Sequence, residues 1–496
     1  MIAKRFISLF LCFLMLAAVA CFAGCSPKKG KEVLKVYNWE DYISDEDDEE
    51  SGLKDLISAF EKEYGVVVEY STFGTNENMY NELKINATGY DLVCPSDYMI
   101  MRMIKEDMVE PFSDGFQNGE YRTYASPYLQ ELFEKNGWSD YAAAYMWGTM
   151  GFVYNPEYVD KEDVSSWGAL WMDKYANQST IKDSVRDSYF LGLAYVAKDE
   201  LDALAADFAA GKMGADEYNA KLTEIMNRTD EATIEATKET LLELKENLYG
   251  FEVDSGKQDM VVGRISINFA WSGDAVYTMD DAEPYFNEET GKEEPGIYLN
   301  YIVPEECSNI WFDGWVMPKG ANVELAQKFI DFLSRPENAV ANMNYIGYTS
   351  AIAGDAVFTE MTDWYAEGEE GDLDEEGNPL VPYDLNYFFN GTSDGEYEDG
   401  NYFIYVSAES AKRQISAQYP TEEVLARSAI MQHFDDATNA AVNEMWEEVK
   451  GLPIPVWAYV VIAVIAAGIV IVALSYVYKG KHRDPKPKKG FRRETI

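Results

Sequence analysis

Apolar positions along this chain alternate between a period of two and a period near 3.6, in turn, from residue 33 onward. Residues 33–38 (VLKVYN) read as a strand. Leu53, Leu56, Ile57, Phe60 and Tyr64 then recur at helical spacing, and Gly65 stops that helix. Residues 66–70 form a second strand, 76–84 a helix and 90–94 a third strand. The same succession returns at 265–269 (ISINF), a buried strand that ends at Trp271-Ser272-Gly273 and releases Asp274 at the start of a helix. Helices are predicted over 323–333 and 337–345. A helix-rich stretch at 198–249, dominated by Ala, Leu, Glu and Lys, reads as an insertion without chemistry of its own. Residues 287–292 carry a hairpin signal, followed by a strand at 297–303. The alternation of strand and helix makes the body α/β, a class in which ligands bind beyond the strand ends.

The two ends follow a different pattern. Lys4 and Arg5 precede an apolar run over 6–20 and then small residues, the layout of a bacterial export signal. Its close, Phe22-Ala23-Gly24-Cys25, resembles a lipobox with Cys25 lipidated; ordinary peptidase cleavage or lipidation at Cys21 are the other readings. Residues 456–478 contain no charge and are long enough to span a bilayer. A basic tail, 479–496, follows, which places the tail in the cytoplasm and the body outside the cell membrane.

The formal net charge is −46, and both ends are basic, so the body is more acidic than the whole. Nucleic acid is therefore excluded as a partner, since phosphate contacts require basic surface. A cationic solute would be drawn to such a body. With two histidines, and with Cys12, Cys21 and Cys25 in the leader, only Cys94 and Cys307 remain in the body. His-based metal sites, Ser-His-Asp catalysis and a disulfide framework lack material, and no cofactor is expected. Residues 363–401 are rich in Gly, Asp and Glu. Asp372 begins an EF-hand-like run, but its twelfth position is Tyr383 where a Glu is required, so a solvated loop is the better reading.

What remains is a repeated pairing. Trp271 with Asp274 could be a core indole and a helix cap, but an aromatic residue beside a carboxylate recurs at Trp39-Glu40-Asp41-Tyr42, Ser96-Asp97-Tyr98 and Trp311-Phe312-Asp313. An alkyl ammonium needs a carboxylate for a charge-assisted hydrogen bond and a flat aromatic wall for its carbon chain.

The segments Tyr37–Tyr42, Tyr90–Tyr98, Tyr145–Gly148, Trp271–Asp274, Trp311–Asp313 and Ile346–Tyr348, in this order, resemble the polyamine-binding proteins of spermidine/putrescine ABC importers, over about residues 33–451. The resemblance implies a two-lobed periplasmic-binding-protein (type II) fold with a hinge. Lobe 1 would comprise 33–144 and 311–356, and lobe 2 would comprise 145–310 and 357–450, with insertions at 198–249 and 363–401. It also implies ABC permease subunits as partners and a receptor, not an enzyme. Trp39, Tyr98, Trp271 and Trp311 would line a methylene chain. Asp41, Asp187, Asp274 and Asp313 would hold the ammonium ends, and Glu40, Tyr42, Ser96 and Tyr348 would complete the site. Ser184 stands where spermidine-selective members carry a second carboxylate, and Asp274 is more like putrescine-preferring members, so putrescine is expected ahead of spermidine. Like charges in the cleft would hold the empty lobes apart. A sugar-binding receptor is the first rival and a carboxylate-pair glycosidase a weaker one.

Overall fold

A computed structural model describes residues 31–47, 53–287, 290–374, 376–395 and 400–451. The leader with Cys25, the apolar segment 456–478 and the basic tail lie outside the described residues. Among the described residues no helix is long and apolar enough to cross a membrane.

The predicted opening holds closely. Strand β1 (Val33–Trp39) leads to helix α1 (Leu56–Tyr64), whose N-terminus is capped by the Asp55 carboxylate accepting from the Ser58 amide and whose C-terminus ends at Gly65 with φ 70°. Strand β2 (Val67–Phe73), helix α2 (Asn76–Ile85), the short strand β3 (Leu92–Val93) and helix α3 (Asp97–Lys105) complete a parallel unit in which β1 pairs with both β2 and β3.

Two long strands join this unit to a second one. They are β4 (Ala142–Tyr154), buried along its whole length, and β8 (Ser308–Pro318). Between them in sequence lie β5 (Ser179–Lys182), helix α4 (Val185–Val196), β6 (Gly250–Glu252), β7 (Ile267–Trp271) and helix α5 (Ser272–Ala282). The spatial order is β2-β1-β3-β8-β4-β7-β5-β6. The outer three strands on each side are parallel, whereas β8 and β4 run antiparallel to each other and to their outer neighbours. The sheet is thus two parallel α/β halves linked by one antiparallel pair, a two-lobed arrangement.

The cores mark the division. One apolar cluster takes residues of β4 up to Trp147, and another begins at Met150; along β8 the change falls between Cys307 and Ile310. A third, smaller cluster holds Val153, Ala270, Met279 and Tyr301, on the opposite face of the second half-sheet because neighbouring strand residues point to opposite sides. Cys94 and Cys307 are buried, unpaired, and in different clusters.

One boundary needs correcting. Residues 357–450 were expected in lobe 2, yet Val357, Tyr387, Phe388, Ile404, Tyr419 and Leu425 pack with the first-lobe core. The segment from Ala429 through helix α6 (Asp436–Lys450) joins the second, and Ala417 packs in the third cluster. Aromatic packing explains the placement. The Trp147 and Phe388 rings stack at 5.6 Å, and Tyr128 meets Tyr387 edge-on at 5.5 Å. The 198–249 insertion folds as helices Lys198–Ala209, Ala215–Met226 and Glu231–Asn247 against the second-lobe core.

Candidate functional site

The strand ends that meet between the lobes carry two carboxylate centres. The first is Asp313. It stands at an irregularity of the β4–β8 ladder: Asp313 pairs with Met146 and Gly314 with Ala144, leaving Tyr145 as the extra residue of a bulge. Bulges re-aim side chains and interrupt pairing. Asp313 also bridges to Ser96. The Tyr42 hydroxyl donates to Asp313 Oδ2 and the Ser96 hydroxyl to Oδ1, each at 2.7 Å. Behind Ser96, Asn76 donates to the Ser96 and Tyr98 hydroxyl oxygens at 3.0 and 3.1 Å, which fixes both side chains at the start of α3.

Among the described residues no cation is paired with Asp313. Burial raises its carboxyl to about 6; the two hydroxyls pull it down, and the nearby Asp187 carboxylate pushes it back up. Asp187, on the first turn of α4, is likewise raised by burial, against the opposing effects of Ser184, Lys182, Arg186 and the Trp271 indole. Two carboxyls from different lobes are therefore near enough to act on each other electrostatically, and burial raises both. That is what an entering cation would relieve.

The second centre is Asp274, on the first turn of α5. Its Oδ2 accepts from Lys182 at 2.8 Å and its Oδ1 from the Tyr348 hydroxyl at 2.9 Å, with the Lys257 ammonium 3.8 Å from Oδ1. Burial works to raise this carboxyl, but Lys182 and Lys257 outweigh it and hold it below the usual range. The sequence reading assigned Asp274 to a ligand ammonium. In the structure its oxygens already have partners.

A tyrosine pair connects the centres. Tyr42 reaches Asp313 and Tyr348 reaches Asp274, while their rings meet at 5.6 Å with perpendicular planes. Trp311 lies 5.7 Å from the Tyr348 ring and donates its indole N–H to the Thr149 carbonyl. Tyr348 can lie this close only because residue 273 lacks a side chain: a Cβ there would fall 1.9 Å from Tyr348 Cδ1. Trp271, at the end of β7, presents its ring 4.4 Å from the Lys182 ammonium.

The remaining residues fall as follows. Trp39 packs on Phe73 at 4.6 Å, and its buried indole N–H has no acceptor among the described residues. Glu40 and Asp41 are exposed on the turn after β1, Asp41 with φ 51°. They are not gathered into either centre: the turn carries them outward and brings Tyr42 inward instead. Asp97 is buried, and burial raises its carboxyl to about 8 against the opposing pull of the Tyr98 amide and the Arg186 guanidinium.

Sequence reasoning missed Lys182 and Arg186. The Arg186 guanidinium lies between the Tyr98 and Phe434 rings, 4.3 and 3.9 Å from their centroids, and so ties the lobes together. Arg102 of α3 pairs with Asp436, and Lys105 lies 3.3 Å from His433, along the same seam. The repulsion expected to part the lobes is thus offset by cations of the protein itself. Both missed residues lie within 181–188, beside Asp187, and Lys182 ends a strand as the aromatic–acid motifs do.

The model of the bacterial extracellular solute-binding protein family matches residues 55–369. The spermidine/putrescine-binding periplasmic protein of Salmonella typhimurium is 29% identical over 338 residues, covering 67% of this chain and 82% of that protein. The putrescine-binding periplasmic protein PotF of Escherichia coli is 26% identical over 334 residues, 65% of this chain and 78% of its own. Among solved structures, the spermidine/putrescine ABC transporter substrate-binding protein PotD from Streptococcus pneumoniae superposes with a TM-score of 0.54 at 25% identity, covering 84% of this chain and 98% of that one. With a match over more than half its length, and with a sheet divided into two α/β lobes, the chain belongs to the bacterial extracellular solute-binding protein family.

Proposed function

We propose that the chain is an extracytoplasmic polyamine receptor that delivers its ligand to an ABC importer, with one ligand ammonium held between Asp313 and Asp187. The observation that carries this reading is the pair of incompletely compensated carboxyls from opposite lobes, Asp313 buried and Asp187 half-buried, beside Trp311, Trp271 and the Tyr42–Tyr348 pair. An ammonium between them gains two charge-assisted contacts, and its methylenes gain aromatic walls. A neutral sugar would leave both carboxyls uncompensated. The polyamine-binding relatives support the same ligand class. Putrescine is favoured over spermidine, because Ser184 supplies no further carboxylate and Asp274 is engaged by Lys182. The leader and the apolar segment 456–478 would hold the receptor at the outer face of the membrane beside its permease.

Calorimetric titration with putrescine, spermidine and a panel of neutral sugars at two pH values tests this. The expected result is saturable binding of polyamines and none of sugars. The pH dependence has a fixed sign: the ionised carboxylate binds the cation, so affinity is full above the raised Asp313 value of about 6 and is lost below it. From pH 7.5 to pH 5 putrescine binding should weaken about tenfold for that one group. Sugar binding, or polyamine binding that strengthens in acid, contradicts the assignment.

A further inference from the structure

Lys182 ends β5 with its side chain 1% exposed. Its ammonium lies 2.8 Å from Asp274 Oδ2, 3.1 Å from Glu252 Oε1, 3.0 Å from the Val253 carbonyl and 4.4 Å from the centre of the Trp271 ring. Two carboxylates, a carbonyl and an indole face are the partners a ligand's own ammonium would seek. Resting on the polyamine reading above, we propose that Lys182 fills the Asp274 pole as a tethered ammonium and makes the receptor select short polyamines over longer ones that carry a distal ammonium toward Asp274.

The pairing at this pole supports the selection. The buried acids Asp274 and Glu252 share the Lys182 ammonium, while Lys257, 3.8 Å from Asp274, pairs more closely with Asp254 at 2.7 Å. A further ammonium would have to compete with Lys182 for the same two carboxylates. Lys182 is also poorly placed to withdraw. Its backbone is held in β5 between β7 and β6, and leaving its partners would strand the cation in a region closed to water. At the other pole the Asp313 carboxylate has the Tyr42 and Ser96 hydroxyls and, among the described residues, no paired ammonium, while Lys182 and Arg186 act on Asp187 from a distance. A ligand's charges therefore gain most when they lie close together at that end.

The decisive experiment replaces Lys182 by Met, which keeps an unbranched apolar stem and removes only the ammonium. Calorimetric affinities for putrescine and spermidine are then compared with those of the unaltered protein. The ratio of spermidine to putrescine affinity should rise about tenfold or more. An unchanged ratio overturns the proposal. Two uncompensated acids could unfold the single variant, so Lys182→Met combined with Glu252→Gln, which leaves Asp274 as the open pole, is measured alongside it with the same expectation. If neither the unaltered, folded protein nor the variants bind any polyamine, the functional reading itself fails and takes this proposal with it. If the unaltered protein binds polyamines and the ratio stays fixed in both variants, only the role of Lys182 fails.

Discussion

Asp313→Asn should weaken putrescine binding by about 2–4 kcal/mol, or about 30- to 1,000-fold, while the free protein loses no stability. The two halves of this expectation have the same cause. In the free protein Asp313 is buried, has hydroxyl partners but no paired cation among the described residues, and is pushed up by the Asp187 carboxylate. Ionising it there is unfavourable, which is why its carboxyl titrates near 6. Asparagine keeps an oxygen for the Tyr42 or Ser96 hydroxyl and removes the charge, so the empty cleft gains or stays even. The bound complex loses a charge partner that the ligand ammonium cannot replace. Calorimetry and a denaturant titration on the same sample separate the two effects. An equal loss of stability and affinity would instead mark Asp313 as a structural residue.

The second large effect is expected from Gly273→Ala. One methyl group placed 1.9 Å from Tyr348 Cδ1 cannot be accommodated without moving the ring. That ring packs against Tyr42 and Trp311, and its hydroxyl donates to Asp274 across the lobes, so the displacement spreads to both carboxylate centres. Overpacking of this kind costs about 1–3 kcal/mol of stability. Putrescine affinity should fall about tenfold or more, since the aromatic wall shifts with the ring. Equilibrium unfolding and titration of the variant check both, and unchanged values in both would show that the ring has room that the described packing does not give it.

Much of the fold could be read from the chain because the local signals agree. The spacing of Leu56, Ile57, Phe60 and Tyr64, followed by a glycine with φ 70°, is a helix with a stop, and the structure has it at Leu56–Tyr64. The strand ends carry the aromatic and acidic residues that assemble between the lobes. What could not be read is pairing over long separation. Lys182 looks like a solvated charge at the end of a short strand until Asp274, 92 residues later, is placed beside it. Tyr42 and Asp313 are 271 residues apart. Glu40 and Asp41 have the right chemistry for the site, but a turn with positive φ at Asp41 puts them in solvent. Most of the segment from Val357 to Leu425 packs on the first core through aromatic contacts that no periodicity announces.

The most direct test is a structure determined with putrescine bound. The expected result is a ligand nitrogen within about 3 Å of the Asp313 carboxylate, shared with Asp187, and the methylene chain along Trp311. A ligand seated elsewhere, such as the open cavity lined by Asp280, Glu360 and Trp364, with the Asp313 carboxylate untouched, would contradict it.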